Sequence, residues 1–288
     1  MAQRLTNPMV TLTDKNYYEK GTGALTCSKI KDYSICPNYF FHKHILCDLK
    51  EEKSDAFAIG GLVDDMLSGV NYLDRYMVVD RRTADAKQSA AEAGIVLILK
   101  SQLDEAVKIV AAVDETSAWK TIKEKGRFQD ILQIPMKLND HFDSIAGKPD
   151  VWWLDPDGTC YIVDLKTAMT ADHKNFYFRA IGFHYDWQLA NYKMLLSSIY
   201  PQIERFKCYN FVVSKVKDIY STQLFQYPNQ MIEAAESAMI KMIDKISKEK
   251  NYAKYNPTFD KPVLFGDFEN DKLSAMIEGM EEEGEDNN

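Results

Sequence analysis

Residues 146–168, AGKPDVWWLDPDGTCYIVDLKTA, constrain the fold more than any other part of the chain. Two apolar runs, 151–154 and 160–165, flank Asp155-Pro-Asp-Gly158. Aspartate, proline and glycine supply the local hydrogen bonds, the fixed φ and the positive φ that tight turns require, so the segment reads as a β-hairpin. Buried strands seldom carry ions, because a charge that leaves water unpaired is costly. Here Asp150 precedes one strand, and Asp164 and Lys166 lie in the other. Residues two apart on a strand share a face, which puts Asp164 and Lys166 side by side. If residues 155–159 form a five-residue loop, Leu154 faces Cys160 and Asp150 faces Asp164, so two carboxylates and an ammonium converge. Close carboxylates repel unless a cation lies between them, and hard oxygen donors suit Mg²⁺ or Mn²⁺ better than zinc. An Asp-x-Lys strand pattern taken alone is equally an ion pair that fixes register.

The elements around the hairpin define a mixed α/β chain. A helix is expected over 28–46, capped by Thr26 or Ser28, a second over 56–68, and a third over 87–109 in spite of Gly94. Segments 128–136 and 142–145 read as extended, 172–198 as a long aromatic-rich helical region, and 206–214 and 220–226 as strands. An amphipathic helix follows over 229–248. With no linker and no repeat, residues 1–277 read as a single domain, its part 26–125 mostly helical and its part 126–250 a sheet core with flanking helices. Residues 278–288 contain six acidic and no basic residues, and a disordered tail is expected there.

Charge bears on the partner. A net charge of -8 argues against a polyanionic ligand, but setting the six tail carboxylates aside leaves 37 acidic residues against 35 basic ones. A nearly neutral body has room for a basic groove. No stretch approaches the roughly 20 apolar residues of a membrane span, and residues 1–13 lack the pattern of a secretion signal, so a cytoplasmic protein without membrane contact is expected. Five cysteines without a CxxC pair argue against a disulfide framework and a zinc ribbon. His42 and His44 fall on different faces of the expected helix and read as surface residues.

Gly147-Lys-Pro-Asp150, followed by Asp164-Leu-Lys166, resembles the P-D…(D/E)-x-K signature of the restriction-endonuclease-like nucleases. Gln188-Leu-Ala-Asn-Tyr192 is similar to the Q-x-x-x-Y motif of the RecB-type branch, and Ser28, Ile30, Tyr33, Cys36, Pro37 and Phe40 match that branch's opening helix. The resemblance implies a restriction-endonuclease-like core, a central mixed sheet flanked by helices. It implies a metal, Mg²⁺ or Mn²⁺, held by Asp150, Asp164 and the Leu165 carbonyl, with Lys166 polarising the attacking water and Gln188 and Tyr192 holding substrate or the metal's surroundings. Where the branch carries Gly-x-x-x-His or Glu, this chain has Gly60-Gly-Leu-Val-Asp64-Asp65; Asp64 aligns with that ligand, and Asp65 remains the alternative. With only Cys208 beyond position 160, the branch's iron–sulfur cluster is not expected.

Within the branch the chain looks most like the phage and prophage recombination exonucleases, the group of lambda exonuclease and exonuclease eight. That likeness implies 5′-to-3′ digestion of linear duplex DNA, a homo-oligomeric ring and a single-strand annealing partner. Lys29, Tyr33, Lys148, Lys174 and Arg179 are the residues expected against DNA, with Lys31 and Lys43 beside them. Phe176-Tyr-Phe178 reads either as a base-stacking wedge or as core. The alternatives are a single-strand DNA nuclease of the kind found beside CRISPR systems, a sequence-specific endonuclease, and a DNA-binding assembly module without catalysis.

Overall fold

The computed structural model describes residues 11–13, 16–19, 21–49, 55–216 and 219–252. The acidic segment 278–288 lies outside them. Strand β1 (Ala24–Thr26) leads into α1 (Cys27–Ile35), the short α2 (Pro37–Phe40) and a π-helical turn at Phe41–Leu46. The following elements are α3 (Asp55–Leu67), β2 (Tyr76–Val79), α4 (Ala84–Ala93), β3 (Val96–Leu99), α5 (Lys100–Asp114) and α6 (Ser117–Lys125). The sheet-forming part contains β4 (Arg127–Phe128), β5 (Leu132–Pro135), β6 (Ser144–Gly147), β7 (Val151–Leu154) and β8 (Thr159–Ala168). Helices α7 (His173–Gly182) and α8 (Tyr185–Ile199), strands β9 (Arg205–Ser214) and β10 (Thr222–Gln226), and helix α9 (Asn229–Lys248) complete the order.

The central sheet runs β10-β9-β8-β7-β4, with β8 and β9 parallel and the other pairs antiparallel. Alternation along β8 divides the core. Cys160 and Ile162 pack toward α1, α8 and α9, while Val163 packs with Leu62, Trp119 and Phe211 on the face of α3, α5 and α6. Each fully buried aliphatic side chain contributes roughly 1.5–3 kcal/mol, so α9 is held by its stripe Ile232, Ala235, Met239, Ile243 and Ile246. A smaller sheet, β1-β6-β5, and the parallel pair β2-β3 complete the mixed α/β architecture expected from the sequence.

Three expected helices are divided. The first breaks at Cys36, which is extended before Pro37; proline disfavours a helical residue ahead of it and lacks an N–H to donate. The third stops at Gly94, whose φ of 68° caps α4. Val96–Leu99 then pairs with β2 as a strand before α5 begins, because a β-branched and aliphatic run finds more burial in a ladder than in a helix. The aromatic region divides at Phe183 and His184, where His184 adopts a φ of 50°. The expected extended stretch 128–136 is two short strands in different sheets.

Candidate active site

The hairpin has the register that its loop length demands. Leu154 pairs with Cys160 and Val151 with Val163, while the Asp155 amide donates to the Thr159 carbonyl at 2.9 Å and Gly158 takes a φ of 79°. Asp150 therefore arrives opposite the Asp164-Leu165 step, and its Oδ2 accepts from the Leu165 amide at 2.7 Å. Asp164 is fully buried. Its Oδ2 contacts Lys166 Nζ and accepts from Asn210 Nδ2 at 2.9 Å, and its Oδ1 is buried without a hydrogen-bond partner. Burial works against the Lys166 charge, but Asp164 and Asp150 outweigh it and hold the ammonium above the ordinary lysine range.

Asp64 approaches from α3. Gln129 Nε2 donates to its Oδ2 at 2.8 Å, and its Oδ1 is also buried without a partner. Asp65, one residue on, points elsewhere and pairs with Arg75 at 2.6 Å. Of the two aspartates, Asp64 faces Asp150, Asp164 and Lys166, while Asp65 is ion-paired with Arg75. Burial, then Asp65, push the Asp64 carboxyl up to about 6, and burial followed by Asp64 and Asp164 drives Asp150 well above the carboxylate range. The buried carboxylates therefore resist one another's charge.

Between α3 and β8 a cavity of about 20 Å³ is lined by Gly60, Val63, Asp64, Leu165, Lys166 and Thr167, roughly the room of one water molecule. Hard oxygens that repel each other, two of them without a hydrogen bond, fit a divalent cation such as Mg²⁺ or Mn²⁺. Among the described residues no three histidine, cysteine or carboxylate side chains already surround one point closely enough to hold a metal. Lys166 supplies the positive charge on Asp164 in this arrangement.

Gln188 and Tyr192 share one face of α8, and Gln188 Nε2 donates to the Tyr192 hydroxyl at 2.8 Å. Tyr192 is buried, and burial followed by the charges of Asp164 and Asp150 raises its hydroxyl pKa. The remaining candidates disperse. Tyr33 is buried against Phe40 and Tyr252, so its ring serves packing and not a DNA surface. Lys29 is partly buried and donates to the Ala24 carbonyl at 2.6 Å. Lys148 is buried with its ammonium 5.8 Å from the Tyr18 ring. Lys174 and Arg179 are exposed on α7. Phe176 is core, whereas Tyr177 and Phe178 are exposed.

Asn210, Tyr227 and Gln129 hold this arrangement and were not anticipated. Asn210 pairs with Asp164 across the parallel β8–β9 ladder, and the Tyr227 hydroxyl donates to its Oδ1 at 2.6 Å. The one signal in sequence is a polar residue inside the apolar run of β9, which burial would forbid without a partner.

A central mixed sheet with helices on both faces, carrying Asp150, Asp164 and Lys166 at the junction of two strands, is the core of the PD-(D/E)XK, restriction-endonuclease-like class. Residues 26–257 match the family described as PDDEXK-like domain of unknown function (DUF3799), and the chain belongs to that family. The crystal structure of a candidate exonuclease from Eubacterium rectale is similar over 88% of this chain and 96% of its own, at 19% identity and a TM-score of 0.60. That likeness is one of fold. A phage-related exonuclease from Haemophilus somnus aligns over 77% of this chain and 94% of its own, at 14% identity with a TM-score of 0.27, too small an overlap to add to it. No curated protein matches the chain in sequence.

Proposed function

We propose that this protein is a Mg²⁺- or Mn²⁺-dependent deoxyribonuclease, an exonuclease that resects ends of linear duplex DNA from 5′ to 3′ in phage-type recombination. The observation that carries the reading is the convergence of Asp64, Asp150 and Asp164 beside Lys166, an arrangement whose electrostatic cost a purely structural role leaves unexplained. The name of the Eubacterium rectale structure, a candidate exonuclease, agrees with it.

A phosphodiester is anionic and its alkoxide leaves poorly, so its hydrolysis needs positive charge at phosphorus and a nucleophile more basic than bulk water. Asp64, Asp150, Asp164 and the Leu165 carbonyl would hold a divalent ion, which would supply Lewis acidity at the phosphate and make water a better nucleophile. Lys166 keeps its proton, orients the attacking oxygen and offsets charge on the transition state. Gln188 and Tyr192 position the substrate at the wall formed by α8. A homo-oligomeric ring and a single-strand annealing partner in the cytoplasm follow from the same reading. Among the described residues no helix is long and apolar enough to cross a membrane.

The test uses linear duplexes labelled at the 5′ or 3′ end, beside closed circular DNA, with Mg²⁺ or Mn²⁺ present. The expected result is loss of mononucleotides from linear DNA only, reduced roughly a thousandfold by Asp164→Ala or Lys166→Ala. Discrete fragments from circular DNA would identify an endonuclease, and binding without hydrolysis under either metal would sink the catalytic reading.

A further inference from the structure

The break between α7 and α8 leaves an aromatic ring in solvent, one ring removed from Lys166. Phe183 ends α7 and is 56% exposed, and the left-handed φ of 50° at His184 turns the chain into α8. More than half of the Phe183 side chain stays in water at a left-handed turn, while Tyr185 and Arg179 lie against the ring. Its surroundings are cationic. The Arg179 guanidinium lies 5.1 Å from the Phe183 ring centroid, and Lys31 Nζ donates to the Phe183 carbonyl at 3.0 Å. The Phe183 and Tyr185 rings are nearly parallel, with centroids 5.9 Å apart and planes at 17°. Lys166 Nζ in turn stands 4.9 Å from the Tyr185 ring. One ring therefore separates the proposed catalytic ammonium from the exposed phenyl face, a short reach for a nucleotide.

Resting on the nuclease reading above, we propose that Phe183 is the platform on which the base next to the scissile phosphate stacks, with Arg179 and Lys31 holding neighbouring phosphates, so that the preferred substrate end is unpaired. Inside a duplex both faces of a base are covered by its neighbours. At a duplex end the terminal base has one open face but carries its pairing partner with it, so an unpaired base reaches Phe183 with less hindrance. Stacking on an aromatic side chain tolerates any base, which suits an enzyme that must advance through every sequence, and its loss weakens binding about tenfold. Guanidinium and ammonium groups beside the ring add a salt-dependent, sequence-independent contribution.

The experiment compares the full chain with Phe183→Ala, Phe183→Leu and Phe183→Trp, using duplexes that carry 2-aminopurine at the terminal nucleotide, blunt or with a three-nucleotide overhang. For the wild-type chain, quenching of the terminal fluorophore is expected, and a KM lower for overhangs than for blunt ends. Phe183→Ala and Phe183→Leu are expected to abolish the quench and raise the overhang KM about tenfold with kcat within twofold, while Phe183→Trp retains both. Leucine keeps apolar volume and removes the ring, so its agreement with alanine excludes a packing effect. Cleavage that is normal in all variants, with an unchanged quench, overturns the platform and leaves the nuclease reading intact. A ring-dependent quench without hydrolysis under Mg²⁺ or Mn²⁺ overturns the nuclease reading and leaves the platform.

Discussion

Asn210 decides which oxygen of Asp164 is available. A carboxylate needs a donor, so the amide must present Nδ2 to Asp164 Oδ2, which leaves its Oδ1 to accept from Tyr227. Asp164 Oδ1 is then the bare oxygen. Tyr227→Phe leaves a buried amide oxygen unpaired and is expected to cost about 1–2 kcal/mol in urea unfolding. The same change is expected to weaken Mn²⁺ binding about tenfold in calorimetry, as loss of a group that orients a ligand does, and unchanged Mn²⁺ affinity would assign Asn210 a packing role alone. Lys29 gives a prediction in pH. Burial lowers its pKa to about 8, so in that window the unfolded chain binds the proton more tightly than the folded one. The stabilisation is present above the ordinary lysine pKa and is lost as pH falls through about 8. Wild-type stability relative to Lys29→Met is therefore expected to rise between pH 8 and 10.5, by on the order of 3 kcal/mol, in paired urea titrations.

At the scale of elements, the hairpin, β9 and α9 were legible from pattern because the hairpin carries its turn residues, β9 is a mostly apolar run and α9 keeps an apolar stripe at helical spacing. The divisions at Cys36 and Gly94 carry local signals, Pro37 and the glycine itself, whereas strand β3 after Gly94 and the turn at His184 are settled by whether the next segment finds a sheet edge or a helix face to cover it, and that information lies elsewhere in the chain. Gly147 shows the same dependence. It precedes the Lys148-Pro-Asp150 step, and a Cβ there would stand 2.8 Å from Asn191 Nδ2 and from Leu195 Cδ1 on α8. Gly147→Ala is expected to force β6 away from α8, destabilising the protein by roughly 1–3 kcal/mol and displacing Gln188 and Tyr192 from the carboxylates. Thermal melts and cleavage assays should fall together; an unchanged melting temperature would mean that β6 and α8 separate freely.

For the whole molecule, the concentration of carboxylates at one place sets a tension between stability and chemistry. Asp150→Asn removes one of three mutually repelling groups and is expected to raise the melting temperature of the metal-free protein by a few degrees. The wild-type chain is expected to gain stability from Mg²⁺, about 2.7 kcal/mol at a hundred times its dissociation constant, and the variant much less. A thermal titration that shows equal shifts for both would separate the carboxylates from the metal. The net charge of -8 concealed this arrangement, because bulk charge reports neither the six acidic residues at the end of the chain nor the burial of the others.

Sequence alone determined the hairpin and, for a five-residue loop, the register that brings Asp150 to Asp164 and Lys166, since the two-residue period of a strand is a local rule. It also determined the mixed α/β class. Alignment with the sequence motif already favoured Asp64 over Asp65; only the tertiary structure paired Asp65 with Arg75, brought Asn210, Tyr227 and Gln129 to the carboxylates, buried Tyr33 and left Phe183 in water. Those outcomes depend on which helix face meets the sheet and on what lies across from each side chain, and packing between distant segments decides both.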